Sequence, residues 1–518
     1  MSTTDAIRSY HERTKHRLGA YARGPEYLDW EHQPDPFRRF AGTPLQPLPL
    51  SAGRDPQPAT NGDTAALDLA AIGRLLELSM GLSAWKAYGP ERWALRCNPS
   101  SGNLHPTEAY LVSNGVAGLE DGIHHYAPRE HALERRARLQ ASEGPPFCLL
   151  GLSSILWREA WKYGERAFRY VQLDVGHALG AVRYAAAVLG WGAELLPVGD
   201  RRIEELLGLD RSADFAHAEG ETPDLLLRLL PTADAPLAEL PTGCDWLGQA
   251  NALSGEPRVR WPVAEQAHAA SPCAPGGQAD SVTVAAPPAD RDALAALIRQ
   301  RRSAQSFIAR ESTLHVDAFE RLLRAMLPDP RHLPWDCWPQ PPRVHPLLFV
   351  HRVEGIEPGL FALARYAGAE EYLQAAMSPE FMWKPVEQLA GDIPLYRLAS
   401  GDIRKVARTL SCHQEIASAS AFSLSMLAEY DEALQQGPCA YRHLHWEAGL
   451  IGQALYLEAE AVGMRGTGIG CFFDDAVHEG LGIADTRLQS VYHFTVGKPQ
   501  LDIRLQTLPP YEHLERNG

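Results

Sequence analysis

The feature that most constrains this chain is that it repeats itself. Asp174–Leu209 contains DVGHALGAVRYAAAVLGW and ends in EELLGL, while Glu447–Ile483 contains EAGLIGQALYLEAEAVGM and ends in HEGLGI. Gly176, Ala181 and Gly190 match Gly449, Ala454 and Gly463 at an offset of 273, and Asp200 and Gly208 match Asp474 and Gly482 at 274. A nearly fixed offset over about 35 residues favours duplication over coincidence between two Ala-rich helices. Each copy reads as a helix, a glycine stop, a strand and a short helix. A weaker echo pairs Asn103-Leu104-His105-Pro106 with Arg343-Val344-His345-Pro346, each entering an apolar run. Two related units in one chain can pack as a pseudo-dimer with one continuous interface.

Composition divides the 518 residues further. Residues 1–60 are rich in Pro, Gly and charge. Pro34-Asp35-Pro36 and the run Pro44–Pro49 exclude helix and central strand, so this stretch reads as an extended N-terminal arm. Residues 61–240 make the first unit, with helices predicted over Ala65–Met80 and Gln172–Leu189 and a strand over Glu108–Val112. Residues 241–288 read as a linker, because Ala269–Ala289 is mostly Ala, Pro, Gly, Ser and Gln and cannot bury enough apolar surface to fold alone. Residues 289–518 make the second unit, with helices over Asp292–Arg301 and Val316–Leu327 and a strand over Val491–Val496.

Lys+Arg of 49 against Asp+Glu of 64 gives a formal charge of −15, which disfavours nucleic acid as a partner. No apolar run approaches the ~20 residues of a membrane span. The N-terminal MSTTDAIRSYHERTKHR lacks the apolar stretch of a secretion signal. Eight cysteines without a C-x-x-C pair predict reduced thiols in a cytoplasmic protein, with neither a disulfide framework nor a metal site.

The two copies differ where chemistry would lie. Pro99-Ser100-Ser101-Gly102-Asn103 in the first half faces Gln340-Pro341-Pro342-Arg343 in the second. Gly466-Thr467-Gly468-Ile469-Gly470-Cys471 in the second faces Ala193-Glu194-Leu195-Leu196-Pro197 in the first, and only the second half opens on Arg301-Arg302-Ser303. Hydroxyls, an amide and free N–H groups in a Ser-Ser-Gly-Asn loop suit a polar ring edge or a phosphate. Gly-x-Gly-x-Gly admits close backbone approach to a flat ligand. An Arg pair supplies forked donors. Singly, each also serves as a plain turn or a solvated surface.

Together with RRSAQSF at Arg301–Phe307, NPSSGNLHPTEAYLV at Asn98–Val112, WKYGERAFRY at Trp161–Tyr170, GTGIGCFFDD at Gly466–Asp475 and VGKP at Val496–Pro499, these segments resemble the nitroreductase-like flavoproteins. The resemblance is to the tandem SagB/ThcOx-type azoline dehydrogenase group. It implies an α+β, nitroreductase-like fold, a mainly antiparallel sheet wrapped by helices, in two tandem copies forming a single-chain pseudo-dimer that can oligomerise further. It also implies FMN at the interface between units. Carried over by position, Arg301, Arg302, Ser303 and Gln305 contact flavin or phosphate. Gly468, Ile469, Gly470 and Cys471 line the ring, and Pro99, Ser100, Ser101 and Asn103 reach in from the first half. Lys498 either reaches the phosphate or is plain surface.

The implied reaction moves hydride from a small or peptidic, azoline-like substrate to flavin. Lys162 and Tyr163 stand where such dehydrogenases carry a Lys-Tyr pair for acid–base work, opposite Gln435 and Gln436 in the other copy. The rival readings are an NAD(P)H-dependent nitro or quinone reductase and a non-catalytic scaffold of a peptide-modifying complex. Ser411-Cys412-His413 is not expected to hold a catalytic thiol, since neighbours on a helix do not face each other and a helical pattern runs on through Leu434. Trp157, Trp161, Trp383 and Trp446 are expected in the core.

Overall fold

The computed structural model describes residues 2–51, 64–139, 145–232, 240–241, 244–255, 259–276 and 283–514. The predicted arm and linker therefore lie partly outside the described residues, at 1, 52–60, 242–243, 256–258 and 277–282.

Each half is built on an antiparallel sheet in which six strands follow the same order and the seventh, an edge strand, comes from a different place in the chain. In the first half the order from edge to edge is Asp245–Trp246, Ala132–Arg138, Gly122–Ala127, Thr107–Asn114, Phe147–Ser154, Thr222–Leu230 and Gly192–Leu195. In the second it is Lys384–Pro385, Leu395–Ser400, Gly359–Leu363, Val344–Val350, Phe422–Glu429, Leu488–Gly497 and Arg465–Ile469. Strand and helix content agree with the expected α+β class. Phe422–Glu429 corrects the expectation of helix through Leu434. Its Phe-Ser-Leu-Ser-Met alternation sends Phe422, Leu424 and Met426 into the main core, as a strand's two-residue period requires.

Two helices of 22 residues, Ala167–Val188 and Ala440–Ala461, cross at the centre and are buried almost throughout. Their crossing is a contact of backbone on backbone. A Cβ on Gly176 would stand 2.7 Å from Trp446 Cα, and one on Gly449 would stand 2.8 Å from Gly176 Cα. The two glycines are equivalents in the repeat, and they meet each other. That is how an isologous, twofold-like contact behaves.

The N-terminal arm is not extended throughout. Thr3–Arg13 is a helix, opened by a capping box in which Ser2 and Asp5 satisfy each other's backbone N–H groups. It buries Ile7, Tyr10 and His11, with Tyr10 and His11 edge-on to Tyr441 of the other half. The loop after it exchanges two hydrogen bonds with Asp474: His16 N–H donates to Oδ2 at 2.9 Å, and Asp474 N–H donates to the His16 carbonyl at 3.0 Å.

Residues 241–288 likewise are more than a spacer. Asp245–Trp246 extends the first sheet, and Pro262–Ala269 is a helix that buries Ala264 and Ala267. Cys273 N–H donates to Asp200 Oδ2 at 3.1 Å, and Asp200 N–H returns to the Cys273 carbonyl at 3.0 Å. Asp200 and Asp474 are repeat equivalents. Each also takes an arginine from the opposite half: Arg442 reaches Asp200 at 2.6 Å, and Arg169 reaches Asp474 at 2.7 Å. The linker and the N-terminal arm are thus docked in matching ways, each on a helix start framed by both halves. Backbone ladders do this work, so an Ala/Pro-rich composition conceals it.

Cys273 and Cys439 are joined as a disulfide across 166 residues of sequence. This corrects the expectation that all thiols are free. Spacing along the chain does not reveal a pair brought together by the docked linker.

Overpacking typically costs about 1–3 kcal/mol, and more where backbone must move. Gly176→Ala and Gly449→Ala should each lower the thermal unfolding midpoint sharply or prevent soluble expression. Gly480→Ala, in an exposed helical position with nothing within 4 Å of its Cβ, should leave the midpoint unchanged or raise it, with a gain in stability of up to about 1 kcal/mol. Equal behaviour of the three variants would remove the crossing from its central place.

Candidate functional site

A cleft of about 690 Å³ opens between the halves. The first half contributes the hairpin Leu82–Tyr88/Glu91–Arg96, the loop from Asn98 to His105, and Tyr163, Tyr170, Asp174 and His177 from the helical layer. The second half contributes Arg301–Gln305, Tyr456, Thr467–Cys471 and Tyr492. Its C-terminal segment from Pro499 to Leu505 closes one side, and Gln506–Leu508 then pairs with the first-half hairpin.

Of the residues singled out in the sequence, Pro99, Ser100, Ser101, Asn103, Tyr163, Arg301, Arg302, Ser303, Gln305, Gly468, Ile469, Gly470 and Cys471 all line this one cleft. Lys162 stands directly behind the loop: a Cβ on Gly102 would lie 3.1 Å from its Nζ and 2.7 Å from the Tyr163 hydroxyl. Lys498 does not line the cleft. Its ammonium donates to the Gly463 carbonyl at 3.2 Å on the exposed surface, which corrects the phosphate role and leaves the plain-surface reading. Trp157, Trp161, Trp383 and Trp446 are absent from the walls, and Trp93 is present.

The first-half loop is held by its own polar groups. Gly102, Asn103 and His105 take left-handed backbone at φ 62°, 60° and 51°. Asn103 donates to the Ala94 carbonyl at 2.9 Å, and Ser100 Oγ accepts from the His105 N–H at 2.8 Å. The Ser101 N–H and hydroxyl both donate to Asp174 at 3.1 Å. Asp174 is fully buried, and burial pushes its carboxyl up to about 7 against the hydrogen bonds from Ser100 and Ser101. Sequence reasoning did not assign this anchor, although Asp174 opens the repeated segment. Its equivalent Glu447 accepts from the Arg343 N–H at 3.0 Å in the same way.

Gly468 and Gly470 are small for a reason the sequence did not show. A Cβ on Gly468 would meet Tyr492 Cζ at 2.6 Å, and one on Gly470 would meet Tyr170 Cδ1 at 2.7 Å. The glycines make room for tyrosines that themselves line the cleft. Tyr170 in turn stacks on Tyr163 at 4.2 Å, and Tyr456 hydrogen bonds Ser303 at 2.8 Å and the Gly468 N–H at 3.0 Å.

Lys86, Arg96, Arg301, Arg302 and Arg465 line the cleft, against two carboxylates, Asp174 and Asp502. In a chain of charge −15 this concentrates positive potential at one place and favours an anionic ligand. Arg301 is 4% exposed and lies over the Tyr456 ring; it donates to the Arg96 carbonyl at 3.0 Å, while its Nε has no partner. Arg96 Nε, both side-chain polar atoms of Asn98 and His105 Nδ1 are likewise buried without partners. Orphaned buried donors are costly unless something fills them. Their grouping around one cleft fits a flat ligand with a polar edge and a negative charge.

Cys471 sits at the inner end, where Cys412 approaches from a turn with left-handed backbone at Cys412 and His413. The contact with Cys412, then His16 and Arg166, lower the Cys471 thiol against burial, while the same contact and burial push the Cys412 thiol up, so the proton of the pair rests on Cys412. The sequence reading gave Cys412 no role because it placed it on a helix beside His413. The turn lets it face Cys471.

At the corresponding place on the other side, a hollow of about 20 Å³ is lined by Trp338, Gln340, Pro341, Arg343, Gln436, His443 and Glu447. His443 and Glu447 are the equivalents of Tyr170 and Asp174. Glu447 is ion-paired to buried Arg365, and Trp338 packs edge-on to His443.

No family model matches the chain. It is 32% identical over 151 residues to a nitroreductase-type protein of Methanocaldococcus jannaschii, spanning 26% of this chain and 73% of that one. It is also 32% identical over 130 residues to the trifolitoxin-processing protein TfxB of Rhizobium leguminosarum bv. trifolii, spanning 22% of this chain and 35% of TfxB. A solved nitroreductase-type structure from Anabaena variabilis shares the fold along nearly the whole length, with a TM-score of 0.70 at 23% identity over 96% of this chain and 99% of that one. The chain belongs to the nitroreductase-like family of oxidoreductases. Among the described residues no helix is long and apolar enough to cross a membrane.

A thiolate alkylates and a thiol does not. Iodoacetamide should therefore modify Cys471 at neutral pH ahead of Cys412, with the reaction persisting below the ordinary thiol range. Peptide mapping across a pH series checks this, and a Cys471 midpoint at the ordinary thiol value, or Cys412 reacting first, would contradict the lowered thiol.

Proposed function

We propose that the protein is an FMN-dependent dehydrogenase that takes hydride from a small or peptidic, azoline-like substrate, and that each chain binds one flavin in the cleft between its halves. The observation that carries this reading is the buried, carboxylate-free guanidinium of Arg301 with its orphaned neighbours Arg96, Asn98 and His105, set in a cationic cleft large enough for a cofactor and a substrate.

Bound flavin supplies the hydride acceptor and the electron sink. Arg301 would hold the cofactor and supply positive charge to it, in a site where burial strengthens each such interaction. Arg302, Lys86 and Arg465 favour the phosphate. Tyr170, Tyr492 and Ile469 provide flat and apolar walls. Asp174 fixes the Ser-Ser-Gly-Asn loop, which holds the ligand against the second half. Lys162 takes the substrate proton on its neutral amine, whose nitrogen lies 5.5 and 5.9 Å from the rings of Tyr163 and Trp30. Burial raises the Tyr163 hydroxyl well above its ordinary value, so it stays protonated and serves as a donor to the substrate. The peptidic substrate class is supported by the group resemblance and by a relative named for toxin processing.

Lys162→Ala should leave flavin bound and slow flavin reduction by an azoline-containing substrate by roughly 10²–10⁴-fold, the size of lost acid–base assistance. Tyr163→Phe should slow it less. Anaerobic stopped-flow reduction is the measurement. Undiminished rates in both variants would return Lys162 and Tyr163 to packing, and fast reduction by NADPH with none by any azoline would replace this reading with that of a nitro or quinone reductase.

A further inference from the structure

Outside the cleft, one cluster of ligating side chains has no part in the chemistry above. Cys439 caps the second central helix and His443 lies one turn on, so both face the same way. Cys439 Sγ is 3.3 Å from His443 Nε2. Cys273 arrives from the docked linker, and the three ligand atoms lie within 4.8 Å of one another in a half-buried position. The repeat equivalents of Cys439 and His443 are Arg166 and Tyr170. The frame therefore does not require a Cys-Cys-His set here; this side has acquired it.

We propose that Cys273, Cys439 and His443 form a thiol-gated zinc site. Joined as the disulfide, the two sulfurs have no lone thiolate to offer. A small thiol reductant opens the bond by exchange: two RSH become RSSR, and Cys273 and Cys439 each gain one hydrogen as free thiols. A zinc ion then displaces the two thiol protons to solvent and is held by two thiolates and the His443 imidazole. Water takes the fourth position, as in open Cys₂His sites.

The geometry supports both states. Two bonds of about 2.3 Å at a tetrahedral angle need the sulfurs only about 3.7 Å apart, a separation that side-chain rotation supplies. Cys273 keeps its place after reduction, because the ladder to Asp200 and the Gly276 N–H to Pro197 carbonyl bond at 3.0 Å hold the linker independently of the disulfide. Cys97, Cys148 and Cys337 are buried, and Cys244, Cys412 and Cys471 lie elsewhere, so a thiol-only signal can be told from this site by its histidine.

The test uses the full chain. Differential alkylation of protein purified without reductant should show the Cys273–Cys439 cross-link. After reduction with a phosphine and its anaerobic removal, titration with Zn²⁺ against a chromophoric chelator should give about one ion per reduced chain and none per oxidised chain. Co²⁺ should show a thiolate charge-transfer band. His443→Ala should weaken binding by at least ~10-fold, the loss seen even for groups one shell further out, and His443→Cys should restore it. Matching circular dichroism guards against misfolding, and if His443→Ala fails to fold, retention of zinc by His443→Cys and its loss in Cys273→Ser decide. No uptake by the reduced chain, equal uptake in both redox states, or unchanged affinity in His443→Ala would overturn the proposal.

Discussion

Everything in this molecule hangs on two glycines that touch. Gly176 and Gly449 let the central helices meet backbone to backbone, closer than any Cβ allows. That contact sets the distance and the angle between the two sheets. It also puts Asp174, two residues from Gly176, at the seam. The docking of each lead segment depends on the same spacing, since Asp200 and Asp474 take a backbone ladder from a docked segment and an arginine from the opposite half. Buried Asp474 shows how strong the clamp is. Burial would raise its carboxyl, yet Arg166 and Arg169 hold it at about 2.

A twofold frame of this kind makes two equivalent places between its halves, and the chain treats them differently. On one side the loop carboxylate is Asp174, its neighbours are small, and unpaired guanidinium and amide groups remain. On the other, the longer Glu447 is neutralised by Arg365, Trp338 and Pro341 fill space, and about 20 Å³ is left. The cost of desolvating a charge explains the contrast. A buried carboxylate with an arginine beside it is satisfied and needs no ligand, whereas Arg301 without a carboxylate does.

Much of this was legible in the sequence because duplication keeps spacing. The offset of 273 picked out the central helices and the glycines, and divergence between copies picked out three segments that line the cleft, Pro99–Asn103, Arg301–Ser303 and Gly468–Cys471, but not its hairpin, its tyrosines or its C-terminal side. What escaped has physical causes. The N-terminal helix announces itself only by a Ser2–Asp5 box amid prolines further on. The linker docks through backbone, which composition does not report. Cys412 was hidden by taking an alternating Phe-Ser-Leu-Ser-Met strand as helix. Asp174 is a single carboxylate in an Ala-rich helix, and its role exists only once the Ser101 loop lies against it. Gly468 and Gly470 line the cleft, and it is packing against Tyr492 and Tyr170 that demands glycine there. Lys498 follows a cleft strand, yet its side chain leaves on the far surface.

The central claim is that one of two equivalent places is kept for a cofactor and the other is closed. Reconstitution of the full chain with excess FMN, removal of the free fraction, and flavin absorbance against protein mass from amino-acid analysis tests it most directly. The account predicts about one flavin per chain, lost in Arg301→Ala and unaffected by Trp338→Phe. A ratio near two, or a ratio near one that survives Arg301→Ala but falls with changes around Trp338, would contradict it.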